Sequence, residues 1–360
     1  MSQEVNKKSL GKVKTSNVIY PIAIGFGVVG YMVYREFNPD AFKAIHFTSS
    51  TIFWLGVAIL LMAFRDIGYM IRIRLLADKH ITWKQAFRII MLWEFTSAVT
   101  PSAVGGTSIA ILFVHKEGIS IGKSSAIVMA TSFLDELYFL IVVPILFIIF
   151  GRSDLFNISG SATLAESLFT IALIGYLVKL AYTIILSYGL FYNPRGLKWL
   201  IVKLFSFKYL RKWRYNMTRV ADEIMISSKN LRSCPFSFWL KTFGATFFSW
   251  TSRYFVVNAL LLAFFAMGDQ LLIFGRQLIM WIMMLVSPTP GGSGFAEYVF
   301  TVFLGDLIPV AKDLQQSLSV AFAFIWRLIS YYPYLIIGAI ILPRWLKHKF
   351  HVHKKESGQH

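Results

Sequence analysis

Apolar runs about 20 residues long alternate along this chain with short polar or basic segments, and a helix of roughly that length crosses a hydrocarbon core about 30 Å thick. Six runs reach or approach it: Val18 to Tyr34, Ile52 to Ile71, Ser124 to Phe150, Leu168 to Phe191, Phe236 to Phe265 and Gln316 to Leu342. The pattern predicts an all-α integral membrane protein.

Two further apolar segments, Gln85 to Val114 and Leu271 to Leu304, are interrupted. The second contains Val286-Ser287-Pro288-Thr289-Pro290-Gly291-Gly292-Ser293-Gly294, and the first a shorter echo, Val99-Thr100-Pro101-Ser102-Ala103-Val104-Gly105-Gly106. Proline removes a backbone donor and paired glycines weaken a helix further, so neither segment runs straight through a bilayer. Each is expected as two short helices meeting at a Pro/Gly tip, a broken or re-entrant hairpin that returns to its starting side. Irregular backbone at membrane depth is tolerated only where protein buries it or a polar cavity hydrates it.

Of the 360 residues 56% are hydrophobic, too many for an ordinary soluble domain, and 36 Lys+Arg outnumber 18 Asp+Glu. The excess gathers in the N-terminus, the Arg72 to Lys84 loop, the Asn193 to Pro235 loop and the tail after Pro343, whereas the other connections are near neutral. Six spans plus two returning hairpins place every basic segment on the cytoplasmic side, with both termini there. The first hairpin then enters from the inside and the second from the outside. Such inverted pseudo-symmetry is common in alternating-access carriers, whose sites lie between the broken helices.

The organisation expected is a basic cytoplasmic N-terminus (1–17), one transmembrane unit (18–345) with a basic cytoplasmic loop (193–235), and a basic tail (346–360). No small-x-small cleavage site follows Val18 to Tyr34 before Arg35-Glu36, so this run reads as a retained anchor in the cell membrane. Basic clusters confined to loops suit an anionic membrane surface and not nucleic acid. The 193–235 loop interleaves Lys198, Lys203, Lys208, Arg211, Lys212, Arg214 and Arg219 with apolar residues, which fits either a helix lying on the anionic leaflet or a solvated linker. A single Cys234 supports no intramolecular disulfide, the tail histidines read as a basic end, and no metal or cofactor is expected.

Charges inside spans cost about 2.5–3.5 kcal/mol each by insertion scales and so usually face a partner or a water-filled path. The candidates are Arg65, Asp66, Glu94, Asp135, Glu136, Lys179, Lys241, Arg253, Glu297 and Arg327. Adjacent on a helix, Asp135 and Glu136 point about 100° apart, so one at most faces a cavity squarely and the other needs a basic partner. Arg327 is expected to neutralise one of them or to hold a phosphate. Arg65, Lys179, Lys241 and Arg253 are candidates for snorkelling from a rim. Helices starting after Gly105-Gly106 and Gly291-Gly292 would aim free N–H groups at an anion, with Thr107, Ser108 and Ser293 adding hydroxyls. His-Glu-x-x-His, Asp-Asp-x-x-Asp and Gly-x-Ser-x-Gly motifs are absent, and the chain does not read as an enzyme.

Through Pro101, Gly105 and Gly106, and more specifically through Pro288-Thr289-Pro290-Gly291-Gly292-Ser293-Gly294-Phe295-Ala296-Glu297, the chain resembles the lysylphosphatidylglycerol synthase transmembrane family, a flippase-like domain, over roughly residues 15 to 345. Many relatives carry a carboxylate at the position of Thr107, so no ion-coupling role is carried over to it. The resemblance implies translocation of a phospholipid or related polar lipid between leaflets, without the soluble aminoacyltransferase domain of full-length relatives. The substrate-binding set expected from the two Pro/Gly tips together with Arg327 comprises Pro101, Gly105, Gly106, Thr107, Pro288, Pro290, Gly291, Gly292, Ser293, Glu297 and Arg327. Alternative readings are a lipid-binding accessory subunit for a membrane glycosyltransferase and a lipid-modifying enzyme using Glu94, Asp135 or Glu297. Expected partners are a polar lipid and the anionic membrane surface, with a second copy or a lipid-synthesising enzyme also admitted.

Overall fold

The computed structural model describes residues 47–100, 106–158, 162–206, 214–266, 268–287, 289 and 291–356. The expected span Val18 to Tyr34 lies outside them, as do Pro101, Gly105, Pro288 and Pro290, together with the side chains of Thr107 and Ser108. All regular structure among the described residues is helical. Among the described residues four helical stretches, Ser49–Leu76, Ile121–Leu155, Ala162–Tyr192 and Lys312–Lys347, are long and apolar enough to cross a membrane.

Helix α1 (Ser49–Leu76) starts at a Thr48 capping box and runs five residues past the expected boundary, which carries Arg72 into the bundle instead of leaving it in a loop. The first interrupted segment forms α2 (Trp83–Val99), capped reciprocally by Thr82 and Gln85, and α3 (Gly106–Lys116). Helix α4 (Ile121–Leu155) kinks at Gly151, φ 68°, just after the expected end of its span. Helix α5 (Ala162–Ser187) passes into a π-turn at Tyr188–Tyr192.

The basic loop is no bare linker. It folds into α6 (Pro194–Leu204) and α7 (Arg214–Arg232), and α7 packs on α4, where Glu223 accepts the Gly122 amide at 3.1 Å. Beyond it lie α8 (Phe236–Leu262), α9 (Gln270–Met283), α10 (Phe295–Leu304), α11 (Lys312–Ser330) and α12 (Tyr332–Glu356). The last expected span is thus broken at Tyr331, because Pro333 supplies no N–H to continue the ladder. Helix α8 is 27 residues long, enough to span, yet one of its faces is polar: Thr242, Thr246 and Ser249 are fully buried.

That polar face meets α1. Ser249 donates to the Arg65 carbonyl at 2.7 Å, and a Cβ on Gly68 would lie 2.8 Å from Ser249 Cβ and 2.9 Å from the Ala245 oxygen. Small residues let the two backbones approach, the usual device where lipid removes any hydrophobic drive between helices. Phe47 pairs with Phe264, Phe64 with Phe248 and Arg72 with Thr246, so α1 and α8 run antiparallel.

The repeat is visible in the packing. Exchanging α1 with α8, α2 with α9, α3 with α10, and α4 with the α11–α12 pair maps neighbours onto neighbours: α1–α2 onto α8–α9, α3–α4 onto α10–α11, α2–α12 onto α9–α4, and α1–α4 onto α8–α11. Because the equivalent helices α1 and α8 are antiparallel, the relating axis lies across them, as inverted pseudo-symmetry requires.

Candidate functional site

The two broken helices meet. Gly291, Gly292 and Gly294 all have positive φ, at 57°, 70° and 85°, conformations that an L side chain adopts only with strain. Gly294 caps α10, and its amide donates to Glu297 at 2.7 Å. The Gly291 amide in turn faces the Thr100 carbonyl at the end of α2, 3.5 Å away. The Tyr331 hydroxyl, from the break between α11 and α12, donates to the Ala98 carbonyl at 3.0 Å.

Arg327 is the brace of this junction. Its Nε donates to Glu297 at 2.9 Å, its Nη2 to the Gly291 carbonyl at 2.9 Å and to Ser293 at 3.4 Å, and its guanidinium lies 3.7 Å from the Tyr331 ring centroid. Both members of the pair are buried. The expected pairing of Arg327 with Asp135 or Glu136 therefore does not occur, since each of those carboxylates has a nearer cation of its own.

A second polar cluster lies where α1, α2, α4, α5, α8 and α12 converge. On α1, Arg65 binds Asp66 at 3.0 Å and reaches Glu94 of α2. Asp66 also accepts from Tyr334 of α12 at 2.9 and 3.0 Å. Two turns along α1, Arg72 pairs with Asp135 of α4, which also accepts the Trp250 N–H of α8 at 2.6 Å. Glu136 pairs with Lys179 of α5 at 2.8 Å. Both carboxylates of the Asp135-Glu136 step thus find cations.

Among the candidates for snorkelling, Lys241 is exposed, but Arg65 and Lys179 are buried and ion-paired. Arg253 is half-buried, 4.6 Å from the Trp281 ring centroid and 5.5 Å from that of Trp250. No described carboxylate lies within ion-pair distance of it. By contrast Asp66, Glu94, Asp135 and Glu136 keep 17–23% of their side chains exposed, so protein does not seal the carboxylates of the centre completely.

Two buried arginines were not among the sequence candidates. Arg72 could have been found from its spacing: seven residues after Arg65, it lies on the same helical face. Arg276 of α9 binds Asp306 at 2.8 and 2.9 Å and the carbonyls of Phe303, Asp154 and Asn157, which ties the ends of α4 and α10 to α9. Each of these carbonyls lies near a helix end, where a cation is favourably placed. Its spacing gave no such clue.

Beside the centre runs an apolar groove of about 360 Å³ between α4 and α8. Phe133, Leu134 and Leu137, which bracket Asp135 and Glu136 in sequence, form one wall, and Trp239 and Phe243 the other. At the α7–α8 turn, burial and the Asp78 charge push the Cys234 thiol pKa up. No group of His, Cys, Asp and Glu able to hold a metal occurs among the described residues.

The chain is 26% identical over 332 residues to a UPF0104 membrane protein of Archaeoglobus fulgidus, an alignment covering 87% of this chain and 95% of that protein. It also matches, over residues 18–338, the family described as the lysylphosphatidylglycerol synthase TM region. That match takes in both broken helices and the whole charged centre, and the chain is accordingly a multi-pass membrane protein of the lysylphosphatidylglycerol synthase transmembrane family, with a lipid-related role.

Proposed function

We propose that this protein carries a polar lipid between the leaflets of the cell membrane, with its termini on the cytoplasmic side. The observation that supports the reading most strongly is the partly exposed centre of Arg65, Asp66, Arg72, Glu94, Asp135 and Arg253 beside an apolar groove. Ion pairs in a bilayer interior are costly unless they face a polar path or substrate. A head group enters the charged centre while acyl chains stay in the groove and the surrounding lipid.

The junction of the two broken helices supplies the moving part. Among the described residues the Gly291 amide meets the Thr100 carbonyl and the Tyr331 hydroxyl the Ala98 carbonyl at the end of α2, while Arg327 and Glu297 keep the second tip rigid. Parting of that junction exposes the centre to one side and its reformation closes it, as in carriers built from inverted repeats. The test is reconstitution of the purified chain into vesicles with labelled phospholipids in one leaflet. Accelerated exchange supports the carrier; no exchange of any head-group class by folded protein removes it.

A further inference from the structure

The charges of the centre sum to zero but are unevenly placed. Arg65 is shared by two carboxylates, Asp66 and Glu94, which leaves that cluster one negative charge in excess. Arg72 and Asp135 cancel, as do Lys179 and Glu136. The balancing positive charge is Arg253, which has no hydrogen bond or ion pair among the described residues and rests against Trp281 and Trp250. Trp250 in turn donates its N–H to Asp135, which joins Arg253 to the centre. Beside Arg253, the buried Tyr254 hydroxyl also lacks a hydrogen-bond partner among the described residues.

A site with a free cation at one pole and an excess carboxylate at the other is complementary to a dipolar guest. We propose that the centre recognises a zwitterionic phospholipid head group, with its phosphate on Arg253 and its single ammonium on Glu94. A guanidinium matches phosphate in geometry and stays charged, and its five donors exceed what flanking indole rings can use. Glu94 faces Arg65 through one oxygen, and a fifth to a quarter of its side chain is open, so an ammonium can approach. Because the charges of the centre already balance, a net-neutral guest leaves no uncompensated charge in the low-dielectric interior, whereas an anionic or a doubly cationic head group does.

This assignment rests on the reading of the chain as a lipid carrier, and binding separates the two. Purified full chain is titrated calorimetrically with glycerophosphoethanolamine, glycerophosphoglycerol and inorganic phosphate, and then with short-chain phosphatidylethanolamine. The expected result is that glycerophosphoethanolamine binds about tenfold more tightly than either of the other soluble probes. Arg253→Gln weakens it by at least about tenfold, Arg253→Lys recovers part of the loss, and Glu94→Gln erases the preference over glycerophosphoglycerol. Melting curves establish that each variant is folded. If inorganic phosphate alone binds as tightly, the site serves free phosphate, and if glycerophosphoglycerol does, the dipolar match is wrong. Unchanged affinity in folded Arg253→Gln overturns the proposal as well. Should Arg253→Gln not fold, Arg253→Lys and Glu94→Gln decide it. Tight, Arg253-dependent binding without leaflet exchange sinks the carrier and spares the recognition; exchange without head-group preference does the reverse.

Discussion

Arg327 and Glu297 form a buried ion pair, 2.9 Å between Nε and the carboxylate, that joins α11 to the first turn of α10. The carboxylate also holds the Gly294 amide, and the guanidinium also holds the Gly291 carbonyl. One pair therefore fixes both ends of the Gly291 to Gly294 turn. Removing one partner strands a buried charge, at a cost of about 3–5 kcal/mol. Glu297→Gln should lower the apparent melting temperature and abolish leaflet exchange, while Glu297→Gln with Arg327→Gln should regain part of the stability. A double variant whose loss equals the sum of the losses of Glu297→Gln and Arg327→Gln alone would show that the two residues are uncoupled.

The glycines of the same turn separate by what surrounds them. A Cβ on Gly291 would meet the Tyr331 ring at 2.4 Å and the Ala98 oxygen at 2.8 Å, so Gly291→Ala forces the two broken helices apart. A Cβ on Gly292 meets chiefly the Met284 methyl at 1.9 Å, the end of a flexible side chain. Both positions carry a left-handed strain of roughly 1–2 kcal/mol for an L residue. Gly291→Ala is expected to cost distinctly more thermal stability and exchange than Gly292→Ala. Equal losses in parallel melting and vesicle assays would mean that contact between the tips has no consequence.

Much of this architecture was legible in one dimension. The Pro/Gly interruptions located both broken helices, and the distribution of lysine and arginine implied the inverted repeat that the antiparallel α1–α8 packing displays. What escaped was pairing across the bundle. Arg72 meets Asp135 and Arg327 meets Glu297 only because distant helices pack together, and local periodicity holds no information on which helices those are. The break at Tyr331 was concealed by unbroken apolarity, although Pro333 marked it. Arg276 was overlooked because its partners are mostly backbone carbonyls, which no residue pattern reveals.

Cys234 reports on orientation, since it is the only cysteine and sits in the α7–α8 turn assigned to the cytoplasm. A membrane-impermeant maleimide should label it only after the cells are permeabilised. Thiolate is the reacting form, and the pKa is raised, so labelling at neutral pH should be slower than for a free thiol and should still be climbing above the ordinary thiol midpoint. Rapid labelling of intact cells would place the basic helices α6 and α7 outside and invert the topology.

The centre itself is tested most directly by Asp135→Asn in the vesicle assay, with labelled phospholipid placed in one leaflet and its appearance in the other followed over time. The substitution keeps the shape and an oxygen for the Trp250 N–H, but removes the charge that Arg72 faces. A head group that travels through this centre predicts exchange reduced by at least about tenfold, or 1.4 kcal/mol, in protein shown by its melting curve to be folded. Exchange at the unsubstituted rate by folded Asp135→Asn would contradict the account.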